Sequence, residues 1–483
     1  MESEFPLDSI QLERDRGQAL HLQLRDQLRL LIHEQRLDPG AKVPAIRALA
    51  TQLAISRNTV VSAYDQLIAE GYLVSRRGSG CRVANTRGFA KTPQSGTTST
   101  AGPTLSRHGT TLSQQLLLQN TTDASVFHPG LPETATFPHK TWGAILKRLS
   151  APSQESLLGY HSISGHAELK STLASYLTVS RGLKCTPQNI VLTTGGQAAL
   201  DLLARLLIDK RDTVWMEDPG FIGAKNAFAC AGASLVSMPV DENGWSLPAV
   251  ASPNPKLIYL TPACQHPLGI PMPLDQRLQM LTAAKDKNAW IIEDDYDGEY
   301  SFFGDPIPAM QGLADHAPVI YVGTFSKVMF PSLRIGYIVA PPDLATKIET
   351  ALGVTGQHPS LVLQSALNKF MREGHFSRHL KRMRKLYFER RTTFLHMLEQ
   401  TLGTKLTAID GRTGIQIACL AQAPIDDTSA SQDAIGSGLS LVPLSKYGVH
   451  APAASGFLLG YAAIPENLLA PSFATLRKIL QNH

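Results

Sequence analysis

Little in this sequence permits a membrane, a metal or a disulfide framework. No apolar run approaches the roughly 20 residues that a membrane-spanning helix needs. The opening stretch, MESEFPLDSIQLERDR, mixes charges and carries no hydrophobic export segment. Cysteine is scarce: Cys81, Cys185, Cys230, Cys264 and Cys419 are scattered, with no CxxC spacing. An odd number at wide spacing favours reduced thiols and a cytoplasmic setting. The fifteen histidines form no HExxH or similar cluster, so no structural metal is expected. Charged residues are only 18% of the chain and hydrophobic ones 43%, which argues against global disorder and supplies a sizeable core. With 483 residues the chain is too long for one ordinary domain.

Net charge is a modest +5, but its distribution is uneven. Between Gly40 and Lys91 there are eight Lys and Arg against two acids, Asp65 and Glu70. A compact basic segment suits contact with a phosphate backbone, and equally suits a solvated basic face.

Three regions separate along the chain. Residues 1–84 include helix-period apolar positions from about residue 18. Residues 85–123, with the string KTPQSGTTSTAGPT, are rich in Thr, Ser, Gln and Gly and read as a flexible linker. As a random coil its 39 residues would span about 35 Å. From residue 124 to 483 short β-rich runs alternate with longer helices: NIVLTT, DTVWMED, KLIYLTP, AWIIEDD, PVIYVGT and RIGYIVA. That alternation predicts a mostly parallel sheet covered on both faces.

In the first region, Leu20 to Gln35 fits a helix with Leu24, Leu28 and Leu31 on one stripe. The DPG string at Asp38–Gly40 breaks it, and Pro44 begins a short second helix. Ser56 stands as an N-cap before RNTVVSAYDQLIAEGYL. Val60, Tyr64, Leu67 and Ile68 make the inward stripe of that third helix. Arg57, Thr59, Ser62 and Gln66 lie elsewhere on it, a set suited to a helix entering a major groove. YLVSRRGSGCRV then predicts a hairpin wing around Arg76, Arg77 and Gly78. The whole string, VPAIRALATQLAISRNTVVSAYDQLIAEGYLVSRRGSGCRV, resembles the winged helix-turn-helix of the GntR superfamily. The resemblance implies an α+β reader of double-stranded DNA that uses Arg47, Arg57, Thr59 and the wing at Arg76, Arg77 and Gly78.

In the last region, GTFSKVMFPSLRIGY follows a β-run. A lysine just after a strand, beside small hydroxyl residues, is placed as an internal Schiff base with pyridoxal phosphate requires. Isolated, such a lysine is ordinary. Here AWIIEDDYDGEY lies upstream, with Asp294 thirty-three positions before Lys327. A carboxylate ending a buried strand can pair with a protonated pyridine nitrogen, and a nearby tyrosine can donate to the ring oxygen. Further upstream, Gly195-Gly196-Gln197 joins a strand to a helix, which is a ready phosphate cradle. Phe221, in EDPGF, is placed to stack on a ring or simply to pack.

These strings resemble fold type I pyridoxal-phosphate enzymes of the aminotransferase class. More closely they resemble the MocR subfamily, in which a GntR-type reader is joined to such a domain. The resemblance runs from about Phe127 to Tyr461, and implies a smaller α/β subdomain at about 345–483. It implies that Lys327 is the Schiff-base lysine, that Asp294 pairs with the pyridine nitrogen, and that Tyr296 reaches the ring oxygen. It assigns the phosphate to Gly196, Gln197, Thr324, Ser326 and Arg334, the ring face to Phe221, and a cross-subunit phosphate contact to Tyr160. Such proteins are homodimers that take pyridoxal 5′-phosphate, or an amino compound joined to it, as small-molecule effector.

Two departures bear on function. Ala263-Cys264-Gln265-His266-Pro267 stands where the family reads SHQFP; aminotransferases place an asparagine near His266 to bind the ring oxygen, so either His266 substitutes for it or the contact is lost. In SGFLLGYA, Leu458 stands near the place where many aminotransferases carry an arginine that clamps a substrate carboxylate. Without a clamp a substrate is poorly positioned for proton transfer, which favours a transcription regulator over a working aminotransferase. The enzyme, and a regulator whose pocket takes something else, remain the alternatives at this level. Vitamin B6 synthesis and amino-acid metabolism are the natural candidate pathways.

Overall fold

A computed structural model describes residues 5–14, 17–76, 80–85, 104–115, 126–152, 156–157, 159, 163–241, 243–302, 308–409, 411–450 and 454–483. The chain divides into two compact units, Met1–Thr104 and Leu105–His483.

The first unit contains helices α1 (Leu20–His33), α2 (Ile46–Gln52) and α3 (Arg57–Ala69), followed by strands β1 (Leu73–Arg76) and β2 (Gly80–Val83). Leu24, Leu28 and Leu31 are all buried, as the periodicity predicts, against Val60, Ala63, Tyr64 and Leu67 of α3. Ile68, expected on the inward stripe, is only half-buried. Ser56 caps α3: its hydroxyl accepts the Asn58 N–H at 3.1 Å. β1 and β2 pair antiparallel into the expected wing, with Arg76 opposite Gly80. Arg77 and Gly78 lie outside the described residues.

The second unit begins with α4 (Arg107–Ser113), a helix capped by Ser106 within the stretch expected to be linker. Its cap and its packing on a later helix, Ile222–Ala231, explain the departure. The linker reading otherwise falls on residues 86–103 and 116–123, outside the described residues. Next come α5 (His139–Leu149) and α6 (Ala167–Arg181), then α7 (Gly196–Leu207) and α8 (Ile222–Ala231). The strands are β3 (Ile190–Thr193), β4 (Thr213–Asp218), β5 (Ser234–Asp241), β6 (Gly244–Trp245), β7 (Leu257–Leu260), β8 (Trp290–Asp295), β9 (Val319–Thr324) and β10 (Gly336–Val339). They form one sheet in the order β3-β10-β9-β8-β7-β4-β5-β6. Pairs among β4, β5, β7, β8 and β9 are parallel, and β10 runs antiparallel to both neighbours. Every residue of β3, β7 and β10 is buried, which is why these strands read as continuous apolar runs rather than alternations.

A second sheet, β11 (Leu406–Ala408), β12 (Gln416–Ala421), β13 (Val442–Pro443) and β14 (Gly456–Gly460), has the order β11-β12-β14-β13. It packs with the helices His375–Leu402 and Glu466–Gln481 through Phe394, Leu398, Phe473 and Leu476. This is the smaller α/β subdomain. No described helix is long and apolar enough to cross a membrane, and the five cysteines are free thiols.

Candidate functional site

The sheet delivers its chemistry at one edge, where the parallel strands end. β3 runs into Gly195-Gly196 and α7, β4 into Pro219-Phe221 and α8, β8 into Tyr296, and β9 into Thr324–Lys327. Residues far apart in sequence therefore meet beyond the C-terminal ends of the strands.

Lys327 is the centre. Its Nζ donates to the carbonyl oxygen of Gly130 at 2.6 Å. Burial lowers the amine below its ordinary range, opposed by the Asp297 carboxylate. A lysine desolvated in this way is closer to the free amine that attacks a carbonyl. Burial also pushes Asp297 up to about 7, with Lys327 drawing it back. One Asp297 oxygen accepts the Ile415 N–H at 3.1 Å, while the other is buried with no partner among the described residues.

The EDD string resolves into three different roles. Glu293 accepts the backbone N–H groups of Met310 and Gln311 at 2.9 and 3.1 Å. Asp295 pairs with Arg181 at 2.9 Å and accepts the Tyr321 hydroxyl at 2.6 Å. Asp294 accepts only the Tyr259 hydroxyl, at 2.7 Å on Oδ2, and its second oxygen takes no hydrogen bond from a described residue. Burial pushes Asp294 up to about 7, with the Tyr259 bond pulling down. It is the acid of the three with room for a ring nitrogen that carries a proton.

The glycine turn faces a cation. Gly195 has φ +107, and a Cβ built there would lie 3.5 Å from the Arg334 guanidinium carbon. Gly196 opens α7, whose first N–H groups are free to meet an anion. Arg334 is exposed, held at φ +51, and in no ion pair with a described residue. Thr324 donates to the Ser326 hydroxyl at 3.1 Å and accepts the Ser326 N–H at 3.2 Å, so both line the same turn. Gln197 is tied elsewhere, its Nε2 donating to Gly223 O at 2.9 Å.

Phe221 and Tyr296 flank His266, edge to face, with ring centroids 5.1 and 5.4 Å away. The Tyr296 hydroxyl donates to Cys264 Sγ at 3.4 Å. Leu458 is buried in β14, packed with Ile222, Val442, Leu444 and Tyr447. Tyr160 lies outside the described residues. Sequence reasoning missed Gly130, His128, Tyr259, Asp297 and Gln416. Asp297 stood within the quoted EDDYDGEY string. Tyr259 stood within the quoted KLIYLTP run, and the rest come from remote segments. Among the described residues no group of three or more His, Cys, Asp or Glu is placed to hold a metal.

In the first unit Arg47, Arg57, Ser62 and Arg76 are exposed and Thr59 half-exposed. None of the three arginines makes an ion pair with a described residue. Arg57 and Ser62 stand on the third helix and Arg76 on the wing. These are exposed cations available to an anion.

Lysine, open carboxylate and cationic glycine turn, set on this sheet, define an aminotransferase-type fold, here preceded by a winged helix-turn-helix. Residues 133–457 match the family described as Aminotransferase class I and II. Residues 20–83 match Bacterial regulatory proteins, gntR family. The chain is 44% identical to the "Probable rhizopine catabolism regulatory protein MocR" of Rhizobium meliloti, covering 96% of this chain and 94% of that protein. It is 31% identical to the "HTH-type pyridoxine biosynthesis transcriptional regulator PdxR" of Corynebacterium glutamicum, covering 93% and 94%. Among solved structures it is similar to the alpha-aminoadipate aminotransferase LysN of Thermus thermophilus, which was solved with N-(5'-phosphopyridoxyl)-L-leucine. There the TM-score is 0.68 and the identity 26%, over 74% of this chain and 92% of that one. The chain belongs to the MocR-type transcription regulators of the GntR superfamily.

Proposed function

We propose that this regulator binds pyridoxal 5′-phosphate at Lys327 and reads the cofactor, or an amino compound joined to it, as its signal. The observation that carries the reading is that the strand ends bring together a desolvated Lys327 amine and an Asp294 carboxylate whose second oxygen takes no hydrogen bond from a described residue. Asp294 would take the pyridine nitrogen, Tyr296 and His266 the ring oxygen, and Phe221 a ring face. Gly196, Thr324, Ser326 and Arg334 would hold the phosphate, with Gln197 at the turn and Tyr160 of the partner subunit reaching across. Bound there, the cofactor supplies an aldehyde that condenses with primary amines.

The reading divides the chain into a DNA reader at 1–84, a linker at 85–123 and a homodimeric effector domain at 124–483, acting in the cytoplasm. Arg47, Arg57, Thr59, Ser62, Arg76, Arg77 and Gly78 would meet operator DNA. Two linked readers gain by engaging two half-sites together, so a cofactor-dependent change in their spacing changes DNA affinity. The two named relatives, regulators of pyridoxine biosynthesis and of rhizopine catabolism, support a role in vitamin B6 or amino-compound metabolism. The apolar surroundings of Leu458 disfavour a working aminotransferase.

The test is operator binding and footprinting with and without pyridoxal phosphate at one fixed salt concentration. A cofactor-dependent change in affinity, spacing or bend is expected. Identical affinity and identical footprints would overturn it.

A further inference from the structure

His266 sits in a box of aromatic rings. Its imidazole meets Phe221, Tyr296 and Tyr447 at centroid separations of 5.1, 5.4 and 5.3 Å, with interplanar angles of 84°, 81° and 64°. Its backbone N–H donates to Thr261 Oγ1 at 2.9 Å. The ring is thus fixed in orientation, and what stays open is which nitrogen carries the proton.

The Gln416 amide bears on that. It lies in β12, buried, 150 positions from His266, and its Nε2 is 3.2 Å from His266 Nδ1. An amide nitrogen donates and cannot accept. Nδ1 must therefore accept, and a neutral imidazole then carries its proton on Nε2. Burial and the nearby Lys327 push His266 down to about 3, so the ring is neutral throughout the usable pH range. Nε2 has no hydrogen-bond partner among the described residues. The other end of the Gln416 amide lies toward Gly130, where a Cβ would stand 3.5 Å from its oxygen. One side chain of the smaller subdomain therefore reaches both the ring and the lysine's carbonyl partner.

We propose that Gln416 is a positioning residue: it holds His266 as the Nε2–H tautomer, so that the ring offers a donor to the oxygen substituent of the pyridine ring held at Lys327. The proposal rests on the reading that this site takes pyridoxal phosphate. A donor aimed at that oxygen favours its ionised form and lowers the pH at which the bound chromophore ionises. The titratable groups against the ring are Tyr296 and Tyr447, which burial pushes up, with Lys327 acting as a nearby charge and Cys264 tied in through the Tyr296 hydroxyl.

Gln416→Glu reverses the polarity, because a carboxylate only accepts. Nδ1 must then carry the proton, and Nε2 turns a lone pair toward the cofactor oxygen. The experiment is a pH titration of the visible band of the full-length, cofactor-loaded protein. Gln416→Glu should raise the band's apparent pKa by about one unit or more, a tenfold change in the ionisation constant. Gln416→Leu should raise it less. In a His266→Asn background, where no tautomer exists, Gln416→Glu should add little. An equal shift in both backgrounds would overturn the proposal, since Gln416→Glu would then act as a plain charge on Lys327. A wild-type protein that forms no visible band overturns the cofactor reading itself. The tautomer can be read separately in cofactor-free wild-type protein from nitrogen NMR of isotope-labelled histidine. An Nε2–H signal for His266, lost in His266→Asn, is expected; an Nδ1–H signal overturns the proposal without reference to the cofactor.

Discussion

Lys327 Nζ and the carbonyl oxygen of Gly130 are 2.6 Å apart, across 197 positions of sequence. Gly130 has φ +71, and a Cβ there would run into Lys327 Nζ. The close approach therefore requires glycine on two counts, backbone conformation and space. It places the amine against the segment that follows His128.

Removing the amine removes covalent attachment. Lys327→Ala is expected to lose the visible band and the mass added after borohydride reduction with pyridoxal phosphate. Gly130→Ala should displace the lysine and cut attachment at least tenfold while leaving DNA binding by the reader measurable. A band that persists in Lys327→Ala would move the attachment to another lysine.

Arg334 tests the phosphate assignment separately from the ring. A charge-assisted hydrogen bond is worth about 1.5–3 kcal/mol. Arg334→Met should therefore weaken pyridoxal phosphate about ten- to a hundredfold, and pyridoxal, which has no phosphate, hardly at all. Equilibrium dialysis of both compounds decides it. Equal losses for the two would place Arg334 away from the phosphate.

The buried acids give cofactor-free protein a particular pH dependence. Asp294 is raised from 3.8 to about 7 in the folded chain. Its contribution to stability is thus complete below the unfolded value and is lost as pH rises through about 7. One such proton corresponds to a slope of about 1.4 kcal/mol per pH unit between the unfolded value and about 7, levelling off above it. Asp294→Asn should shallow the fall in denaturation midpoint between about pH 4 and 7 relative to wild type. Parallel curves for the two proteins would mean that Asp294 is ionised in the fold.

On the reader, Arg57 stands exposed at the start of the third helix and Arg47 on the second. Replacing either with alanine should weaken operator binding. If the lost contact is to phosphate, the salt slope should fall by about 1 and all sequences weaken alike. If it is to a base edge, discrimination at that position should relax by about 1–3 kcal/mol. Ser56→Ala removes the cap on Asn58 N–H and should cost about 1 kcal/mol of reader stability with little change in sequence preference. Calorimetry and a salt series separate these outcomes.

Much of this molecule was determined by local sequence. The reader follows from one contiguous string, because helix period, serine cap and wing residues each act within a few positions. The six β-rich runs became β3, β4, β7, β8, β9 and β10, since strands buried on both faces are largely apolar. Lys327 and Asp294 were legible because each closes such a run. The tertiary structure decided the rest. It settled which carboxylate of Glu293, Asp294 and Asp295 keeps an open oxygen, because the partners that fill the others come from Arg181, Met310, Gln311 and Tyr321. It turned part of the polar stretch before residue 124 into helix by docking it on α8. It brought Gly130 to Lys327 and Gln416 to His266, across 197 and 150 positions. Periodicity and capping are short-range and can be read along the chain. Which donor meets which acceptor depends on how distant segments pack, and that has no signature in any one of them.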